Sequence, residues 1–201
     1  MSRNDFAIEL PDGMFLEYYD DTHTYLVNGA EVPSITQILQ AHFATKYAGV
    51  DKITLENAAA KGTEVHEAIE RYCQTGTDDG SPELIGFKFL KKMYKFEVLN
   101  NEIPVVLYRD GLPIAAGRVD MLLEKDGVLG LADIKRTDSL DLDYLTYQLN
   151  LYRIAYQQTY GVDISFLRGI HVRMYERSYR VINIDDVTAW QAVEEYEKEK
   201  E

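Results

Sequence analysis

The chain has 201 residues, 46% of them hydrophobic, which is enough for one well-cored domain, and no boundary or run of about 18 apolar residues suggests a division or a bilayer span. A net charge of -13 argues against a protein that coats nucleic acid through a broad basic surface, though not against an enzyme whose contacts are confined to one groove. The single cysteine, Cys73, excludes an internal disulfide and a four-cysteine zinc or iron-sulfur site within one chain, so any metal here takes oxygen and nitrogen ligands.

The opening residues, M-S-R-N-D-F-A-I-E-L, lack the basic start and apolar core of a signal peptide, and a soluble, cytoplasmic protein is expected. Residues 1–33 are expected to form a small β-meander, with strands at Phe15 to Tyr19 and Thr24 to Val27 and a turn at Asn28-Gly29. In P-S-I-T-Q-I-L, Ser34 and Gln37 make a capping box for a short helix to about Phe43, and Lys46 to Ile53 reads as a connection. Thr54 to Thr75 has helical apolar spacing, with Val65, Ile69 and Tyr72 as its stripe. His66 and Glu70 share a neighbouring face of this helix. Gly62 interrupts it, at a kink or a close approach of another backbone, and Gly76 ends it. Ser81-Pro82-Glu83 opens a helix to about Leu99, closed by Asn100-Asn101, and Glu102 to Tyr108 alternates as a strand.

The informative stretch runs from Gly117 to Lys135. Lys125-Asp126-Gly127 between two alternating apolar runs signals a tight hairpin, which puts Asp120 and Asp133 on neighbouring antiparallel strands. Asp133 and Lys135, two apart, share one strand face. Adjacent carboxylates repel and are costly to bury without a counter-charge, so they ask for a cation, and a divalent ion with oxygen ligands is the simplest. A lysine beside it could steady a hydroxide nucleophile and the charge growing on a phosphorus. The hairpin taken alone is equally compatible with an ordinary surface Asp-Lys pair.

Ser139 or Asp141 caps a long helix to Tyr160, stopped by Gly161, in which Gln148 and Tyr152 share a face. Tyr144, Tyr152, Tyr156 and Tyr160 follow helical spacing, as a core stripe would. Arg168 to Tyr175 and Tyr179 to Ile184 are expected to form a last hairpin around Glu176-Arg177-Ser178. Asp185 or Asp186 then caps a C-terminal helix with an acidic tail, residues 187–201.

In order, the chain offers G-x-x-x-H on a helix, G-R-x-D, D-I-K on the next strand and Q-x-x-x-Y on a later helix. This pattern resembles the RecB-like branch of the PD-(D/E)xK nuclease superfamily, in particular compact phage-type exonucleases, from about Val32 through Trp190. The resemblance implies an α/β, restriction-endonuclease-like fold, with a central mixed β-sheet flanked by helices on both faces and the site at one sheet edge. It implies a Mg2+ or Mn2+ dependent deoxyribonuclease. His66, Asp120, Asp133 and the Ile134 carbonyl would ligate the metal and Lys135 would be the catalytic lysine. Gln148 and Tyr152 would lie beside the site to orient DNA or the lysine, with Glu70 and Glu102 as supporting acids. Arg118 and Arg136 would contact DNA, and Arg153, Arg168 and Arg173 lie on elements expected to flank the site. Larger relatives hold an iron-sulfur cluster through four cysteines, so this chain would be of the cluster-free kind. The implied partner is DNA with linear or single-stranded ends, together with a single-strand annealing protein, in phage or bacterial recombination and repair. A structure-specific flap endonuclease and a catalytically silent DNA-binding accessory module of the same fold are the alternatives.

Overall fold

The computed structural model describes residues 5–47 and 52–199. It opens with an antiparallel meander of β1 (Phe6–Glu9), β2 (Phe15–Tyr19), β3 (Thr24–Val27) and β4 (Ala30–Val32). The first of these strands is additional to the two expected. Both halves of the capping box at Ser34 are made, Gln37 N–H to Ser34 Oγ at 3.0 Å and Ser34 N–H to Gln37 Oε1 at 2.8 Å, and they start α1 (Ile35–His42). α2 (Ala44–Tyr47) and α3 (Lys52–Thr75) take up the two ends of the expected connection, whose residues 48–51 lie outside the described ones. α3 runs through Gly62 without interruption, and a Cβ added there would meet nothing within 4 Å, so no other backbone approaches it.

α4 (Pro82–Tyr94) ends five residues before the expected stop, with Lys95 left-handed at φ 53°. The run K-K-M-Y-K-F-E-V-L reads as helix continued. Phe96, fully buried and ring-packed on Phe87 and Tyr179, instead pins the chain to the sheet, and β5 (Glu97–Arg109) begins there. Asn100 and Asn101 therefore lie within a strand, beside a register shift at Val98/Asn100. β6 (Leu112–Lys125) and β7 (Val128–Lys135) are joined through Asp126 at φ 54° and Gly127 at φ 78°, the pair of positive angles that a two-residue type I′ hairpin demands. Asp141 N-caps α5 (Leu142–Tyr160) through Tyr144 N–H. β8 (Phe166–Val172) and β9 (Arg177–Ile182) turn earlier than expected, at residues 173–176, where Arg173 N–H bonds Glu176 O at 2.8 Å. Asp185 caps α6 (Asp186–Lys198).

The main sheet has the order β5-β6-β7-β8-β9, with β7 parallel to β8 across the α5 crossover and every other pair antiparallel. With six α-helices among the described residues, the fold is α/β with one mixed and one antiparallel sheet. Ile35 and Leu39 of α1, Leu149 of α5 and Ala189 of α6 pack with Ile103 and Leu131 on one face. Ile69 of α3 and Phe87 of α4 pack with Met121, Ile134 and Ile170 on the other. The meander covers the far ends of β5 and β6 through Leu16, Tyr18 and Tyr25 on Val106 and Ala116. Among the described residues no helix is long and apolar enough to cross a membrane.

Asn150, fully buried on α5, ties the exit of β9 to the start of α6. Its Nδ2 donates to Thr146 O and Asn183 O, and its Oδ1 accepts from Asp185 N–H at 2.8 Å. Asn150→Leu leaves Asn183 O and Asp185 N–H without this partner in the interior and should lower stability by about 2–4 kcal/mol in urea unfolding. A cost below about 1 kcal/mol would show that water replaces the amide.

Candidate functional site

The β6–β7 ladder runs from Lys125↔Val128 to Met121↔Ala132 and stops. One step further, Asp120 would face Asp133. On the other side of β6, the pairs Asn101↔Met121 and Ile103↔Val119 pass over Glu102 and Asp120. Glu102, Asp120 and Asp133 thus form one row across three adjacent strands, at the level where both ladders are broken. The freed backbone groups are satisfied locally: Ile134 N–H donates to Asp120 Oδ2 at 2.8 Å, and Asn101 Nδ2 to the Asp120 carbonyl at 3.3 Å. Left unpaired, each would cost about 1–3 kcal/mol, so these bonds are what permit the sheet to open there.

The other groups arrive from both faces of the sheet. His66, beside the buried Val65 and Ile69 of α3, donates from Nε2 to Ile134 O at 2.9 Å, while its Nδ1 lies 3.6 Å from Asp120 Oδ2 and 3.9 Å from Glu102 Oε1. From the α5 side, Lys135 Nζ donates to Asp133 Oδ1 at 2.9 Å and to buried Gln148 Oε1 at 3.0 Å. The Asp133 carboxylate is 2% exposed. Its Oδ2 is 2.7 Å from the same ammonium but out of line for a hydrogen bond, and it has no other partner among the described residues. Tyr152 lies flat on β6 because position 117 is glycine: a Cβ there would sit 2.8 Å from its ring. Arg118 is held by Glu102 at 3.4 Å and stands 4.9 Å from the centroid of the Tyr18 ring, so the meander supplies one wall. Together these groups line an open cleft of about 640 Å³.

Negative charge dominates the electrostatics. Burial works against a charged imidazole at His66, but Asp120, Glu102 and Asp133 outweigh it and push the pKa up to about 9. Burial, then the Asp133 and Glu102 charges, push Asp120 up to about 7 despite His66 and Lys135. Lys135 is desolvated too, yet Asp133 and Asp120 hold its pKa above the usual lysine value, so it stays an ammonium. The site is short of positive charge. Ligand atoms of His66, Glu102 and Asp120 lie within 4.8 Å of one another, and Asp133 Oδ2, ion-paired with Lys135 but accepting no hydrogen bond, belongs to the same row. One imidazole and several carboxylate oxygens suit Mg2+ or Mn2+, and the donor set fits such an ion.

Of the residues singled out from the sequence, His66, Glu70, Glu102, Arg118, Asp120, Asp133, Lys135, Gln148 and Tyr152 line the cleft, and the Ile134 carbonyl faces it through His66. The row begins at Glu102 on β5, an edge strand of the main sheet, and runs inward through β6 to β7. Glu102 Oε1 lies 3.9 Å from the His66 imidazole, whereas Glu70 accepts from Gln74 at 2.9 Å, a turn further along its own helix. Arg136 points to α4, paired with Glu83 at 3.0 Å. Arg153 pairs with Asp186, Arg168 lies on Phe166 and Tyr179, and Arg173 pairs with Asp138, so none of the four lines the cleft. Gly62, read as a kink, leaves the cleft wall open beside His66. Tyr18, His23 and Tyr25 of the meander also line the cleft, which no motif announced.

No family model matches the chain, and no curated protein matches it. Among solved structures, one titled "Crystal structure of SSO0001" is similar over 85% of this chain and 77% of its own, at 14% identity and a TM-score of 0.49.

Glu102 is left-handed at φ 50°, a conformation that costs a non-glycine residue about 1–2 kcal/mol. Glu102→Gly should therefore be more stable than Glu102→Ala by about 1 kcal/mol in chemical denaturation, the reverse of the usual order within a strand. An alanine variant as stable as the glycine one would contradict the strained geometry.

Proposed function

We propose that this chain is a metal-dependent DNA exonuclease of the RecB-like PD-(D/E)xK type, with a restriction-endonuclease-like arrangement of its main sheet. What carries the reading is the row of three acids across three strands, flanked by an imidazole and by a buried lysine held by Asp133 and Gln148. A Mg2+ or Mn2+ ion bound there would supply the charge that acidifies a water and neutralises phosphate oxygens.

The chain's own groups have distinct tasks. Asp120, Glu102, Asp133 and His66 present the donor atoms, and Asp120 is fixed by the Ile134 amide. Lys135 remains charged and is aimed by Gln148, so it can hold the attacking water and donate to a phosphate oxygen as charge builds there. Tyr152, buried against Gly117, forms part of the cleft wall, and Arg118 offers a phosphate contact at the meander side. Without a cation the row repels a polyanion, so binding in the cleft and hydrolysis should share the same metal requirement. The setting that suits this reading is cytoplasmic recombination or repair in a phage or bacterium, beside a single-strand annealing protein. A flap endonuclease would use the same groups and differs in the DNA ends it accepts.

The test is incubation of end-labelled linear and circular DNA with Mg2+, Mn2+ or Ca2+. Linear DNA should be degraded with Mg2+ or Mn2+ and circles spared. Ca2+ should fail, because its looser shell does not align the water. Lys135→Ala and Asp133→Asn should each lower the rate at least a hundredfold. Equal cutting of circles would point to the endonuclease, and no cleavage with any of the metals would contradict the nuclease reading.

A further inference from the structure

The cleft has two chemically different walls. The described part of α3 contributes Thr63, His66, Glu67 and Glu70 to one of them. The meander and α1 build the other, with Tyr18, His23, Tyr25, Thr36, Gln37 and Gln40, and no lining residue from these elements is a carboxylate. This wall is tied to the strand that carries Arg118 and Asp120, because Ala116 N–H donates to Pro33 O at 3.0 Å and Ser34 bridges to Ala116 just ahead of α1. A cation in the row offsets the row but leaves Glu67 and Glu70 in place. A polyanion in the cleft is therefore repelled by α3 and meets no such charge on the other wall.

Two polar groups on that wall have no task in the chemistry above. His23 is exposed and left-handed at φ 51° and ψ 39°, where it closes the single 3-10 turn Asp20–Thr22 at a cost of about 1–2 kcal/mol. Its Nδ1 is engaged by the Tyr18 hydroxyl at 2.8 Å, and that hydroxyl is 3.2 Å from Asp20 Oδ1. When the hydroxyl donates to Nδ1, Nε2 carries the ring proton; when it donates to Asp20, an anion at Nε2 draws a second proton onto the ring. Either way Nε2–H is the donor on offer, and it has no partner among the described residues. Gln40, exposed on α1 one turn after Thr36, has a side-chain amide with no partner among the described residues either. Arg118 links His23 to the row: its Nε is 3.4 Å from Glu102, and its guanidinium is 4.9 Å from the Tyr18 ring that holds His23.

We infer that the DNA strand runs along the wall made by the meander and α1, with Arg118 and then His23 on phosphates that follow the one held at the row, and with the Gln40 amide on a base or sugar edge. The inference rests on the nuclease reading and adds to it the path of the substrate. Phosphate contacts from a guanidinium and an imidazole fix a strand in place, while a neutral amide can both donate to and accept from base edges. Tyr18 and Tyr25 are only 5% and 6% exposed, so they back the wall instead of stacking on bases. The strained backbone at His23 then has a purpose, since it keeps the imidazole on the cleft.

The experiment is fluorescence anisotropy of fluorescein-labelled DNA 20-mers, single-stranded and duplex, with Ca2+ in place of Mg2+ so that the row is filled and cleavage is off; the form that the wild type binds more tightly carries the comparison. His23→Asn keeps a residue that tolerates the left-handed backbone and should weaken binding about tenfold, the loss of one hydrogen bond to a charged group. Gln40→Ala, on an exposed helix position, should weaken it about threefold. Glu67→Ala on the α3 wall should bind at least as tightly as the wild type. Mn2+ binding, read from the electron paramagnetic resonance of the free ion, should be unchanged in His23→Asn and Gln40→Ala, and in the Mg2+ cleavage assay both should raise KM with kcat within about twofold of the wild type. Wild-type affinity in folded His23→Asn, or a loss in Glu67→Ala as large as in His23→Asn, would overturn the path; if circular dichroism shows His23→Asn unfolded, Gln40→Ala decides by the same criteria. A wild type that neither binds nor cleaves DNA with any of the metals would sink the nuclease reading and the path with it, whereas wild-type cleavage that both variants retain at unchanged KM overturns the path alone.

Discussion

Three carboxylates held at one level of a sheet repel one another, and much of the molecule is arranged around that repulsion. Glu102, Asp120 and Asp133 occupy the level at which the β5–β6 pairing skips a step and the β6–β7 pairing ends. A regular ladder would have left no room there, and an open one would have left amides and carbonyls unpaired in the interior. The structure meets both demands with side chains, as Asp120 takes the Ile134 amide and Asn101 takes the Asp120 carbonyl. The remaining excess of negative charge falls on Lys135 and His66, both held protonated by it.

The surrounding elements then become intelligible as supports. The Asp126-Gly127 turn sets the β6–β7 register so that Asp120 arrives level with Asp133 rather than one residue off, where it would face the opposite side of the sheet. α3 brings an imidazole from one face while α5 brings Gln148 and Tyr152 from the other, and they meet where the β6–β7 pairing ends. Gly117 removes the side chain that would hold Tyr152 away. The meander, packed on the ends of β5 and β6, closes the remaining wall with Tyr18 and Tyr25 and steadies Arg118.

The parts of this arrangement that were legible in the sequence are those fixed by local chemistry. The capping box at Ser34, the caps at Ser81 and Asp141, the Asp-Gly hairpin and the shared face of Asp133 and Lys135 each depend on residues a few positions apart. The parts that were not depend on distant contacts. The end of α4 is decided by the burial of Phe96 under Tyr179, more than eighty residues away, and no helix-stop signal marks it. The arginines near the motifs lie on elements expected to flank the site, yet Arg136, Arg153 and Arg173 are engaged by Glu83, Asp186 and Asp138, partners invisible to spacing. Nothing in N-N-E-I-P announces that Glu102 is left-handed inside a strand.

The central claim is that the row of acids binds one divalent ion together with His66. Crystals soaked in Mn2+ and measured at the manganese absorption edge would test it most directly. The account predicts an anomalous peak about 2.0–2.3 Å from carboxylate oxygens of Asp120 and of at least one of Glu102 and Asp133. A fully soaked crystal with no peak at that row, or with its strongest peak elsewhere on the chain, would contradict it.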